Sequence, residues 1–164
     1  MRNKVFGIVI LCILVSAANL YGQKTKYGKI CGNPNIKCRT QEIVFEPFEI
    51  PFEVPKTYAV YSSESFYAVI LQSKSTASPN CANAFSEDKR LKAQTLFPDN
   101  KVFAFKCDEF NTTYYTGVAD NVGFMAVYAG KTLAEAKAFL KKVEATGKFK
   151  GANIRKLRAE FNGT

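Results

Sequence analysis

The chain contains no histidine. No Ser-His-Asp or Cys-His arrangement can therefore be built, and the side chain that usually moves protons near neutral pH is missing. No Cys-x-x-Cys pair occurs, so thiol–disulfide exchange has no motif. Neither a P-loop nor a glycine-rich dinucleotide motif is present. The cysteine spacings, without histidine, also argue against zinc. Carboxylate-pair hydrolysis needs only Asp and Glu. The candidates for it, Glu64, Asp108, Glu109 and Asp120, fall at predicted strand ends or turns, where acids are ordinarily solvated. The sequence thus predicts a protein that is not an enzyme and carries no cofactor and no metal. A long apolar run is lacking as well. The run Val5 to Ala18 is shorter than the roughly 20 residues of a membrane span.

That short run sits behind Arg2 and Lys4 and before Asn19-Leu20-Tyr21-Gly22-Gln23. A basic start, an apolar middle and a small-residue zone make a secretory signal peptide over 1–22, with cleavage after Gly22 or Ala18. Cys12 lies inside the run, and no small residue precedes it to suit lipidation. The expected location is periplasmic or secreted, with no transmembrane span after processing.

Export changes the cysteine arithmetic. Of 5 cysteines, removing Cys12 leaves Cys31, Cys38, Cys81 and Cys107, an even set that predicts two disulfides. Gly32-Asn33-Pro34-Asn35 is strong turn chemistry and favours Cys31 with Cys38, leaving Cys81 with Cys107. The formal charge is +9, and losing Arg2 and Lys4 with no acid lowers it by two, to +7. Such an excess favours anionic partners, of which wall polymers fit an exported protein; no nucleic acid is expected. About 140 residues remain, enough for one domain with a real core. An apolar content of 47% argues against disorder.

Residues 23–60 read as an extended, disulfide-containing arm. Its centre, Phe45-Glu46-Pro47-Phe48-Glu49-Ile50-Pro51-Phe52-Glu53-Val54-Pro55, has prolines that exclude a helix or a central strand. It predicts a segment laid on its own domain, aromatics docked and glutamates outward, or else an arm that binds a protein partner. Residues 61–164 form the domain. Phe66 to Gln72 is a strand. Ser86 caps a helix bearing Leu91 and Leu96, ended by Pro98-Asp99-Asn100. Lys101 to Cys107 is a strand with Val102 and Ala104 on one face, Phe103 and Phe105 on the other. Tyr114–Val118 and Val122–Ala129 flank a turn at Asp120-Asn121. Thr132 and Glu135 form a capping box for a helix with Leu133, Ala136, Phe139, Leu140 and Val143 on one side and Gly147 beyond its end. A last strand covers Asn153 to Phe161. The order predicts an α+β, ferredoxin-like β-α-β-β-α-β antiparallel sheet with two helices on one face, plus the N-terminal arm.

Such a sheet leaves one face open, and open faces bind extended polymers through aromatics. Tyrosines suit that face because their hydroxyls want water or a ligand. Basic residues gather at Lys148, Lys150, Arg155, Lys156 and Arg158. The segment Phe66-Tyr67-Ala68-Val69-Ile70-Leu71-Gln72, and the segment Phe124 to Gly130 followed by Thr132 to Leu140, resemble the SPOR domain, a peptidoglycan-binding repeat of bacterial envelope proteins. The resemblance covers about residues 66–161. It implies binding of cell-wall glycan along the open face. The candidate ligand-binding residues are Tyr67, Gln72, Tyr115, Tyr128, Arg155 and Arg158. The alternative is a secreted protein-binding module or inhibitor using the Phe-Glu-Pro arm.

Overall fold

Alternation of side chains sets the sheet. In the run from Phe66, residues Phe66, Ala68 and Ile70 enter one apolar cluster and Tyr67, Val69 and Leu71 the other. That is the period-two pattern of a strand buried on both faces. The computed structural model of the chain describes residues 30–53, 55–75, 85–105, 113–119 and 121–162. They contain β1 (Val60–Ser62), β2 (Phe66–Ser75), α1 (Glu87–Leu96), β3 (Val102–Phe105), β4 (Thr113–Thr116), β5 (Val122–Gly130), α2 (Leu133–Ala145) and β6 (Asn153–Asn162). The protein is α+β, built on a curled antiparallel sheet. The expected signal segment, residues 1–22, lies outside the described residues. So do Cys81 and Cys107, and with them their expected bridge.

The central order is β6-β2-β5-β3. Two further strands enlarge the sheet: β1, which the sequence did not mark, and β4, which it marked at 114–118. Glu160 and Phe161 of β6 pair with both, so β1 and β4 flank β6 on opposite edges. The chain bends between β1 and β2 at Ser63. Its amide donates to the Ala159 carbonyl at 2.8 Å, and its Oγ accepts from the Ala159 amide at 2.9 Å. A side-chain oxygen thus replaces a ladder carbonyl at the bend. The sequence places 114–118 beside 122–129 across a turn. Instead β4 crosses to β6, which lays Tyr115 against Phe103 and Phe124, with ring centroids 5.1 and 5.7 Å apart.

Both helices cover one face. Ala93 and Phe97 from the first helix segment, and Ala136, Phe139 and Val143 from α2, meet Val69, Leu71, Val102, Ala104, Met125 and Val127. Helix α2 has its capping box: Thr132 accepts from the Glu135 amide, and the Glu135 carboxylate accepts from the Thr132 amide at 2.9 Å. Leu133 departs from the expected stripe and is exposed. Helix α1 is less apolar than its sequence reading. It buries Arg90, Ala93 and Gln94, while Leu91 and Leu96 are half-buried. Gln94 closes the turn into β3: its Nε2 donates to the Phe97 and Asn100 carbonyls, and its Oε1 accepts from the Val102 amide at 2.8 Å.

The other face is not open. It curls around an aromatic core of Phe66, Phe103, Phe105, Tyr115, Phe124 and Tyr128, and the arm fills the hollow with Cys31, Cys38, Phe45 and Ile50. Phe45 lies 4.7 Å from Phe103 between ring centroids. The arm also joins both flanks. The Ala104 amide donates to the Ile43 carbonyl at 2.9 Å, and the Phe45 amide donates to the Tyr115 hydroxyl at 3.3 Å. The expectation that glutamates point outward fails at one position. Glu49 is buried and Phe48 is 60% exposed. The cause is Lys101, whose buried ammonium lies 2.6 Å from the Glu49 carboxylate. Truncation of Phe45 to alanine is expected to cost about 3–5 kcal/mol, read as a shift in the denaturant midpoint.

Candidate binding cleft

Strand β2 is longer than its pairing with β6. That pairing ends at Ile70 opposite Asn153, while β2 continues to Ser75. The overrun, Gln72–Ser75, stays paired with Val122–Met125 of β5 and is exposed throughout. A register shift between Ile70 and Gln72 marks where the ribbon turns away from β6. Two cavities adjoin this edge. One, of about 510 Å³, lies on the helix side and is lined by Gln72, Ser73, Lys74, Lys89, Lys150 and Asn153 over Leu71 and Phe85. The other, of about 430 Å³, lies on the hollow side against Val118, Val122 and Phe124, with Arg155 at its rim. They share Ile70, Ser73 and Asn153.

The four cations come from four places in the chain: β2, α1, the loop after α2, and β6. Among the described residues, neither cavity has a carboxylate in its lining. Among the described residues the ion pairs are Arg90–Glu87 and Lys101–Glu49, so none of the four has an ion-pair partner among them. Unpaired cations around a concave polar surface create a positive potential that attracts anions.

The expected site residues scatter. Gln72 and Arg155 line the cleft. Arg158 is exposed farther along β6, its Nε donating to Ser65 Oγ at 3.2 Å. Tyr67 is half-buried on the helix side. Tyr115 and Tyr128 are buried in the hollow. They are therefore core residues, because the arm covers the face expected to be open. The turn at Gly32, which has a φ of +86°, approaches the Tyr128 ring too closely for any Cβ. Sequence reasoning missed Lys74 and Lys89. They line one cavity although they are remote in sequence, on β2 and on α1, so no local pattern marks them.

The Cys31–Cys38 disulfide forms as the turn chemistry predicts, with a Cα separation of 5.6 Å. Both sulfurs and a Glu49 oxygen lie within 4.8 Å of one another. A disulfide has no thiolate to give a metal, and Glu49 is engaged by Lys101, so this cluster is structural.

Burial shifts three of the buried side chains. It pushes the Tyr115 hydroxyl far up and raises Tyr128 to about 12, with Glu135 adding to the latter. It pushes the Lys101 ammonium down, against the opposing pull of Glu49. The signs oppose. A phenol raised in the folded state gives stability that is complete below its unfolded value, about 10, and lost as pH rises through the folded value. A depressed lysine binds fewer protons folded than unfolded, so stability gains between its lowered value and about 10.4. Above pH 10 the tyrosines therefore dominate, and stability is expected to fall by up to about 2.7 kcal/mol per pH unit. Tyrosinate absorbance followed against pH checks this: Tyr115 and Tyr128 should ionise last, together with loss of near-ultraviolet circular dichroism.

No protein-family model, no curated protein and no solved structure matches the chain. No helix among the described residues is long and apolar enough to cross a membrane.

Proposed function

We propose that the protein is an exported, non-catalytic module that binds an anionic polymer of the cell envelope, with cell-wall glycan the first candidate. The observation that carries this is the pair of adjoining cavities with Lys74, Lys89, Lys150 and Arg155, in whose lining no described residue is a carboxylate. The signal-like start and the Cys31–Cys38 disulfide support a periplasmic or secreted location. The resemblance of 66–72 and 124–140 to the SPOR domain supports glycan as ligand, and we read the β2-α1-β3 and β5-α2-β6 units as a ferredoxin-like centre. Peptidoglycan carries carboxylates, which four unpaired cations would attract. Binding moves from the sheet face of the original expectation to the sheet edge, since the arm occupies the face. The same docking argues against the arm as a free partner-binding segment, because Phe45 and Ile50 are buried in its own domain.

Co-sedimentation with purified peptidoglycan tests the reading. The protein should be retained at low salt and released as ionic strength rises. Reversing three charges, as Lys74→Glu, Lys89→Glu and Lys150→Glu together, should weaken retention about tenfold or more. All three side chains are exposed, so the fold should survive. Absence of retention at low salt by the wild-type chain would remove the proposal.

A further inference from the structure

The cleft has a second property besides its charge. Its floor is a strand edge. Gln72–Ser75 are paired with β5 on one side, and among the described residues no strand pairs with them on the other. An unpaired edge presents backbone donors and acceptors that favour addition of another extended chain. The arm meets the protein's other edge by single hydrogen bonds, accepting from the Lys101 amide at Ile30 and from the Ala104 amide at Ile43, both at 2.9 Å.

We infer that the Gln72–Ser75 edge takes an extended peptide with alternating acidic and apolar residues as an added strand in line with β6. The alternation follows from the two cavities. Side chains of a strand point to opposite faces in turn. On the helix side they would meet Lys74, Lys89 and Lys150. On the hollow side they would meet Val118, Val122 and Phe124. One face therefore selects carboxylates and the other selects apolar side chains, with Arg155 at the second rim. The inference rests on the cleft proposed above but names a peptide backbone, rather than a sugar chain, as what the edge reads. A glycan offers no regular row of amides to complete a ladder.

The test is a titration of the mature chain with three probes. The first is an alternating Glu-Val peptide. The second is the same peptide N-methylated at every other residue, made in both registers, which removes ladder donors and keeps the charge. The third is polygalacturonate, an anionic polysaccharide. Hydrogen exchange at the Ser73 and Ser75 amides is followed alongside binding. The peptide should bind and slow exchange at one or both amides about tenfold or more. N-methylation in the register that faces the edge should weaken binding about tenfold or more, one lost hydrogen-bond network being worth at least that. Lys74→Glu with Lys150→Glu should weaken it comparably. Equal binding of the plain peptide and both N-methylated registers overturns strand addition. So does protection of both amides before any ligand is added. Binding of polygalacturonate without the peptide also overturns it, while leaving the anionic cleft standing. Binding of neither probe, with no retention on peptidoglycan, removes both.

Discussion

Replacing Lys101 by alanine is expected to destabilise the protein by about 3–5 kcal/mol. The ammonium is fully buried, and its partner Glu49 is 2% exposed. Removing the cation leaves a carboxylate without its counter-charge in a site where water cannot replace it. The Glu49 oxygens would keep only backbone partners, the Arg39 and Glu46 amides. The Phe45 ring, 5.0 Å from the ammonium, would lose a cation contact as well. For a domain of this size, with a total stability of about 5–15 kcal/mol, that is a large fraction. Urea unfolding followed by circular dichroism measures it. The same pair need not contribute much net stability. The double variant Lys101→Met with Glu49→Leu removes both charges and keeps the volume, and it is expected to cost far less than Lys101→Ala, or to stabilise. A double variant as damaging as the single one would show that the charges themselves hold the arm. A Lys101→Ala cost below about 1 kcal/mol would show that water reaches the site.

The contrast between legible and hidden features runs along the same lines. Helix α2 was legible because its capping box and its stripe are local: Thr132 meets Glu135 three residues on, and Ala136, Phe139 and Val143 recur at helical spacing. Strand β2 was legible from its alternating run, and the Cys31–Cys38 bridge from the turn between the two cysteines. The buried charges were not. Arg90, Lys101 and Glu49 belong to residue types that ordinarily stay at the surface. Their partners are remote in sequence; Lys101 and Glu49 stand 52 residues apart. Because those partners were invisible, the arm read as a segment laid on the domain surface, and the hollow that it fills read as an open binding face. Tyr115 and Tyr128 were misplaced for that one reason. The cleft was half legible. Gln72 and Arg155 stood out, but Lys74 and Lys89, on β2 and on α1, come together only in the folded chain.

Replacing Arg90 by leucine is expected to release the first part of the arm at a cost of about 3–5 kcal/mol. This guanidinium is wholly buried and spends its donors on four groups. Its Nε donates to Glu87 at 2.9 Å, and its Nη1 donates to the Thr40 carbonyl at 2.8 Å and the Val102 carbonyl at 2.9 Å. Its Nη2 reaches the Gln41 carbonyl at 2.7 Å and Glu87. One side chain thus ties arm, helix α1 and edge strand β3 together. Leucine fills similar apolar volume but leaves three backbone carbonyls without their donor, and each buried orphan costs about 1–3 kcal/mol. Lysine keeps the charge but not the planar fork, so Arg90→Lys should recover little. Location separates this from a general loss of stability. Hydrogen exchange should quicken first at Ala104, whose amide is bonded to Ile43 of the arm, while amides of α2 keep their protection. Uniform loss of protection across both would mean that the arm is part of one cooperative unit with the sheet. Unchanged exchange at Ala104 would mean that the aromatic anchor, Phe45 in its hollow, holds the arm without the clamp.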